Sequence, residues 1–178
     1  MLLFGHLGIT LGIYLIFRRL FPSLTSGIKL QYLALGALLP DLIDKPIGKL
    51  LFASTLANGR IIGHTLSFSF FLTLLGFILY KNRKDLRGIS LAAGAFCHLL
   101  EDKMWKDSYT LFWPLFGLEF PRGDPEYTGI LYFIAMLIKS FKFECYESMF
   151  FESLGACVVS LFILNSLKKK LEKRGKKE

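Results

Sequence analysis

The stretch Ile61 to Tyr80 runs for 20 residues with one ionisable side chain, His64, near its start. As a helix such a stretch rises about 30 Å, the thickness of the hydrocarbon core of a bilayer. A helix also satisfies every backbone polar group within the segment, as that solvent demands. The rest of the chain has the same texture. Hydrophobic residues are 53 % of 178, and the mean hydropathy is +0.46, both high for a soluble domain. The apolar residues come in blocks, with basic residues between or after them. The net charge of +8 therefore reads as membrane topology and not as a nucleic-acid-binding face, and no nucleic-acid partner is expected.

The blocks predict an all-α, polytopic transmembrane bundle of five or six helical segments, some short or half-spanning. Leu2 to Phe17 forms the first, ended by Arg18, Arg19 and Pro22. It lacks a basic leader and is read as a helix, not as a cleaved signal. Lys29 to Leu39 forms the second and stops at Pro40, which makes it a half-span unless its start reaches back into Leu24 to Ile28. Pro46 to Ala57 adds a short surface helix. Ile61 to Tyr80 is the clearest span, followed by a basic loop, residues 81–87. Gly88 to Trp105 is the fourth. Residues 106–126 form a loop whose aromatic middle, residues 111–120, suits the lipid interface. Tyr127 to Phe141 is marginal, and Phe150 to Leu167 is the last span. Residues 1–167 are thus one membrane domain, and 168–178 a basic cytoplasmic tail. Gly5, Gly8 and Gly12 lie on one face of the first helix, and Gly36 and Gly94 do the same locally, favouring close helix approach. Cys97, Cys145 and Cys157 have no metal-ribbon or disulfide spacing and read as small apolar residues.

Sidedness organises the polar groups. The positive-inside rule places Arg18–Arg19, the 81–87 loop and the C-terminal lysines in the cytoplasm. His6, Asp41, Asp44, His64, His98 and Asp102 then fall at one depth on the non-cytoplasmic side. Ionisable groups at membrane depth are costly and need partners. His98 and Asp102 are one helical turn apart and share a face. Asp41 and Asp44 share one if a helical turn follows Pro40. Taken singly, each has an ordinary explanation: a hydrogen-bonded pair, an interfacial histidine, a helix cap. Together, three imidazoles and three carboxylates form a mixed nitrogen and oxygen set that suits zinc or manganese, with iron(II) a further fit. One ion or two are both open. Glu101 sits off the 98/102 face and reads as solvent-facing or as a supporting group. Asp107, Glu119, Asp124 and Glu126 read as solvated. Arg60 either meets a phosphate or is an outer flanking charge.

The order His6, then Pro40-Asp41-Leu42-Ile43-Asp44, then Arg60 and His64, then His98 and Asp102, then Trp113-Pro114 resembles the YdjM-type family. That family is described as LexA-regulated, integral-membrane, metal-dependent hydrolases. The family pattern has P-D-x-D, H-R-G-x-T-H-S and H-x-x-x-D. Here the second aspartate of the first motif comes one place later, Gly59 stands where the second motif has its first histidine, and Gly63 stands where it has threonine. The resemblance implies a relation to helical zinc-dependent phospholipase C and nuclease folds, and hence phosphoester hydrolysis. The expectation is a cell-membrane hydrolase for a phosphoester or lipid-like substrate, its metal held by His6, Asp41, Asp44, His64, His98 and Asp102. Asp44 and Arg60 are its candidate catalytic groups, and the 111–120 loop covers the site. The alternative is a divalent-metal carrier or scaffold that activates no water.

Overall fold

The computed structural model of the chain describes residues 3–123, 129–140 and 146–174. Every regular element among them is helical. The α-helices are α1 (Leu3–Leu20), α2 (Pro22–Thr25), α3 (Leu30–Pro46), α4 (Leu66–Arg83), α5 (Arg87–Glu101), α6 (Ser108–Leu111), α7 (Gly129–Ser140) and α8 (Tyr146–Arg174). A π turn, Ile47–Leu51, follows α3, and short 3-10 turns cover Ile62–His64 and Met104–Lys106. Asp124, Glu126, Lys142, Cys145 and the last four residues lie outside the described residues. So do Tyr127 and Phe141, at the ends of the segment expected to be marginal.

Helix α5 is the centre. It packs along α3 on one side and α4 on the other and touches α1, while α8 packs along α1. Each of the three main pairings is made at facing glycines. Gly36 and Gly94 bring α3 and α5 so close that a Cβ on either would collide with a backbone carbonyl, that of Leu91 or of Leu33. Gly76 against Gly88 does the same for α4 and α5, and Gly8 against Gly155 for α1 and α8. Membrane helices, which gain nothing from burying apolar surface against each other, associate through such close packing. Gly12, the third glycine of the α1 stripe, has nothing within 4 Å of where its Cβ would be. It takes no part in the contact.

Two of these helices, α1 and α8, are long and apolar enough to cross a membrane by length and composition. Large apolar side chains of α1, α4 and α8 face outward, among them Phe17, Phe70, Phe71, Phe77 and Leu161. Helix α4 has 18 residues but ends in Lys81, Asn82 and Arg83, so its apolar run is shorter than the sequence suggests. Its start is also later than expected. Residues 62–64 form a tight turn, and Thr65 caps α4 by accepting from Phe68 N at 3.0 Å. At the other end α5 stops at Glu101, with Lys103 left-handed (φ 54°), short of the expected Trp105. Asp107, read as solvated, caps α6 instead, accepting from Thr110 N at 3.3 Å and from the Thr110 hydroxyl at 3.0 Å.

Pro40 does not end the second long helix. α3 runs through it to Pro46, 17 residues in all, or about 25 Å. An internal proline loses one backbone hydrogen bond and crowds the carbonyl four residues back, at about 3 kcal/mol. Burial on both sides of the proline offsets this: Leu33 and Ala37 before it and Asp44 after it are all buried. Gly63 lets the 62–64 turn lie directly on the proline, since a Cβ there would stand 2.9 Å from Pro40 Cα. The expected helix at 46–57 reduces to the π turn and a series of turns.

Candidate metal centre

His6, His64 and His98 are all completely buried, and they come together where α1, α5 and the 62–64 turn meet α3. The rings of His6 and His98 stack with centroids 3.9 Å apart, and His64 meets His98 edge-on at 5.0 Å. Each Nδ1 is held by an acceptor. That of His6 faces Glu101 Oε2 at 2.7 Å, that of His64 faces Asp44 Oδ2 at 2.7 Å, and that of His98 faces the Ala37 carbonyl at 2.7 Å. A carbonyl can only accept, and a carboxylate accepts when ionised, so these partners assign the proton to Nδ1 in all three rings. Nε2 is then the lone-pair nitrogen, turned toward the centre. Anchoring of this kind is how metal-ligating histidines are oriented.

Around those nitrogens stand two carboxylates. Asp41 Oδ1 lies 3.7 Å from His64 Nε2 and 3.8 Å from His98 Nε2. Asp102 Oδ1 lies 3.4 Å from His6 Nε2, and its Oδ2 lies 3.7 Å from His64 Nε2. His64 Nε2 and His98 Nε2 are 3.2 Å apart. Two atoms bound tetrahedrally to one zinc, each at about 2.0–2.1 Å, stand about 3.3 Å from one another, so the spacing fits a shared ion. His6 Nε2 is buried with no hydrogen-bond partner among the described residues, a costly state for a ring nitrogen unless something binds there. Two overlapping sets have metal-ligand spacing: His6, His98 and Asp102, and Asp41, His64 and His98. His98 has only Nε2 to offer, because Nδ1 is held by Ala37, so an ion in one set takes His98 from the other.

Five of the six expected ligands are thus brought together: His6, Asp41, His64, His98 and Asp102. Asp44 is placed behind His64 and not beside it. Its Oδ2 accepts from Ile61 N (2.7 Å), His64 N (3.1 Å) and His64 Nδ1, and its Oδ1 from Gly63 N (2.8 Å). With both oxygens engaged and no exposure, Asp44 builds the 62–64 turn and aims the imidazole. Glu101 does the matching work for His6, steadied by the Thr10 hydroxyl at 2.8 Å. Its solvent-facing reading is excluded by a side chain 3 % exposed. Arg60 places Nε and Nη2 on Asp102 Oδ2 at 3.1 and 2.8 Å, with 42 % of its side chain exposed. Lys45 pairs with Asp41 one turn along α3. Lys45 and the Ala37 carbonyl were not singled out from sequence. The four-residue Asp41–Lys45 spacing is a legible signal, whereas a backbone carbonyl carries none.

The aromatic loop begins against the 62–64 turn and the end of α5. Leu111 packs with Leu99 and Met104, the Trp113 carbonyl accepts from Ser67, and Trp113 stacks on Phe120. Residues 118–122 instead line a separate cleft of about 640 Å³ with Thr55, Leu56 and Tyr109.

A family model described as YdjM inner membrane protein matches residues 1–170. The chain belongs to that family. No curated protein and no solved structure matches the chain. The match extends the resemblance past Trp113-Pro114 into α8, so this YdjM-family chain matches the family over α1, α3, α4, α5 and most of α8. Family membership and the two apolar helices place it in the membrane.

Proposed function

We propose that this YdjM-family protein is a membrane-embedded, metal-dependent hydrolase acting on phosphoesters, with α1, α3, α4, α5 and α8 as the crossing bundle. The observation that carries the reading is the convergence of three Nδ1-anchored imidazoles and two carboxylates on one buried point. His98 would hold the ion, either with His6 and Asp102 or with His64 and Asp41, and these mixed donors suit zinc first and manganese next. Bound there, a divalent ion makes a water acidic enough to be a nucleophile near neutral pH.

The chain supplies the rest. Asp44 and Glu101 hold His64 and His6 in one ring orientation. Because both oxygens of Asp44 are taken, the proton-accepting carboxylate is Asp41 or Asp102, which replaces Asp44 in that role. Arg60, at the exposed edge, offsets charge on the phosphoryl oxygens. Water oxygen bonds to phosphorus, the P–O ester bond breaks, and the departing oxygen takes a proton. The basic segments put this site on the non-cytoplasmic side.

Metal analysis of the detergent-purified chain by elemental mass spectrometry tests the reading, followed by assay on chromogenic phosphomonoesters and phosphodiesters. The expected result is bound zinc or manganese in wild type, lost in His98→Ala, with turnover that follows the metal. Absence of metal after reconstitution sinks the proposal. Bound metal with no turnover on any phosphoester turns it into a metal-stabilised scaffold.

A further inference from the structure

Six large apolar side chains stand exposed within residues 105–118: Trp105, Tyr109, Phe112, Leu115, Phe116 and Leu118. Leu115 and Leu118 are 81 % and 79 % exposed, so they bury almost nothing against the chain. Between Asp107 and Glu119 there is no charged side chain, while Lys103, Lys106 and Arg122 flank the stretch. Concentrated apolar surface of this kind marks an interaction site. The backbone beneath it is satisfied from within. The N–H groups of Leu111, Phe112, Trp113, Leu115 and Gly117 donate to the carbonyls of Asp107, Ser108, Thr110, Phe112 and Pro114, and the Trp113 indole donates to the Leu118 carbonyl. A loop in water does not need this, whereas a segment against hydrocarbon does. The place of the segment in the bundle then identifies its partner. Leu111 packs on Leu99, in the last turn of α5, with Leu66 at the start of α4. Ser67 donates to the Trp113 carbonyl at 2.7 Å, and Phe70 and Phe71, three and four residues on, share its helix face and are exposed. The segment thus lies at the ends of α4 and α5, level with the metal centre, and adjoins the outward apolar face of α4. Helix ends in a membrane protein lie where headgroups meet acyl chains, the layer that takes aromatic side chains flanked by Lys and Arg.

We propose that residues 105–118 form a docking element that inserts among phospholipids at this boundary, in the leaflet next to the metal centre. Its far end is fixed to the chain that leads into the centre. Asn58 donates to the Pro121 carbonyl at 2.8 Å, and Arg122 donates to the Thr55 carbonyl at 2.7 Å. Asn58 Oδ1 also accepts from Arg60 N at 2.9 Å. Docking of the element therefore sets Arg60, at the exposed edge of the centre, at headgroup level. Neither the ion nor a substrate is needed for this, so the docking element stands or falls apart from the hydrolase reading.

Trp105 and Trp113 are the two tryptophans of the chain, so its indole fluorescence reports from this segment alone. The test places the full chain in phosphatidylcholine nanodiscs, whose two faces are both open to solvent, and measures quenching by acrylamide and by lipids brominated at either end of the acyl chain. Trp113→Phe isolates the signal of Trp105, the more exposed of the two. The expected result, in wild type and in Trp113→Phe, is strong quenching by bromines near the headgroup end, weaker quenching by bromines near the chain end, and little quenching by acrylamide. Efficient acrylamide quenching without bromolipid quenching puts the segment in water and overturns the proposal. Protection from both quenchers means that protein covers the segment, a second copy included, and overturns it as well. Stronger quenching from the chain end puts the segment in the hydrocarbon core and overturns the interfacial placement. Leu115→Asp with Leu118→Asp then tests the apolar surface itself. Both side chains are so exposed that the melting temperature in detergent should not move, while bromolipid quenching should be lost and acrylamide quenching gained. Unchanged bromolipid quenching in that variant would show that the bundle alone sets the depth, and would overturn the docking role.

Discussion

His64 Nε2 lies 3.2 Å from His98 Nε2, and both rings are turned so that the proton sits on the far nitrogen, against Asp44 and the Ala37 carbonyl. Two lone pairs aimed at each other in a buried site repel. A cation between them turns the repulsion into ligation. His64→Ala and His98→Ala should each lose bound metal. Chelator should lower the melting temperature of wild type and leave both variants unmoved. A ligand at about 100 times its Kd stabilises by about 2.7 kcal/mol, which thermal denaturation in detergent resolves. An equal response to chelator in wild type and variants would remove the ion from between these rings.

Asp44 and Asp41 should separate in their effects. Asp44→Ala strands three buried backbone N–H groups and the His64 imidazole, and each such group costs about 1–3 kcal/mol. A loss of about 3 kcal/mol or more is expected in metal-free protein. Asp41 keeps some exposure, holds no backbone N–H and is paired with Lys45, so Asp41→Ala should cost metal-free protein less than Asp44→Ala and chiefly weaken metal binding. Melting curves with and without zinc compare the two. The reverse order would put Asp44 at the ion.

Glu101→Gln keeps the shape of the side chain but removes the charge behind His6. Loss of a group that orients a ligating histidine typically weakens metal affinity by about 10–100-fold. Zinc competition against a fluorescent chelator should read a loss in that range. An unchanged affinity would leave Glu101 a structural partner of Thr10 and nothing more.

The glycine pairs predict a graded response. Gly94→Val forces a branched side chain onto the Leu33 carbonyl and must push α3 from α5, carrying Ala37 away from His98. Both the melting temperature and the metal content should fall. At Gly12, where the space is open, alanine should be neutral or stabilise by up to about 1 kcal/mol. If Gly94→Val retained metal at wild-type affinity, the α3–α5 contact would not be what holds the centre.

Sidedness can be read independently of chemistry. A tag placed after Glu178 should resist protease added to intact cells and become accessible after lysis, because the lysine-rich end of the chain is expected in the cytoplasm. Cleavage from outside would invert the topology and move the metal centre to the cytoplasmic side.

Much of this was legible along the chain. Apolar blocks between basic breaks dictate helices in a bilayer, because hydropathy and hydrogen-bond satisfaction act locally on each segment. The same reading identifies the three histidines and the partner carboxylates, since an ionisable group at membrane depth stands out from its neighbours. Even Glu101 had a signal: it is three residues from His98, a spacing that shares a helix face as four does.

Tertiary structure alone decided which carboxylate does what. Asp41 and Asp44 look equivalent in sequence, but continuation of α3 through Pro40 turns one toward the histidines and the other toward the 62–64 turn. That continuation depends on burial against elements distant in sequence, which outweighs the local penalty of the proline. The partner of His6 lies 95 residues away and that of His98 lies 61 away, distances over which no periodicity carries information. The sequence by itself determined the medium, the helical class and which ionisable residues are candidate ligands. The geometry of the centre came from helices brought together at facing glycines, because close packing sets where side chains from different segments meet.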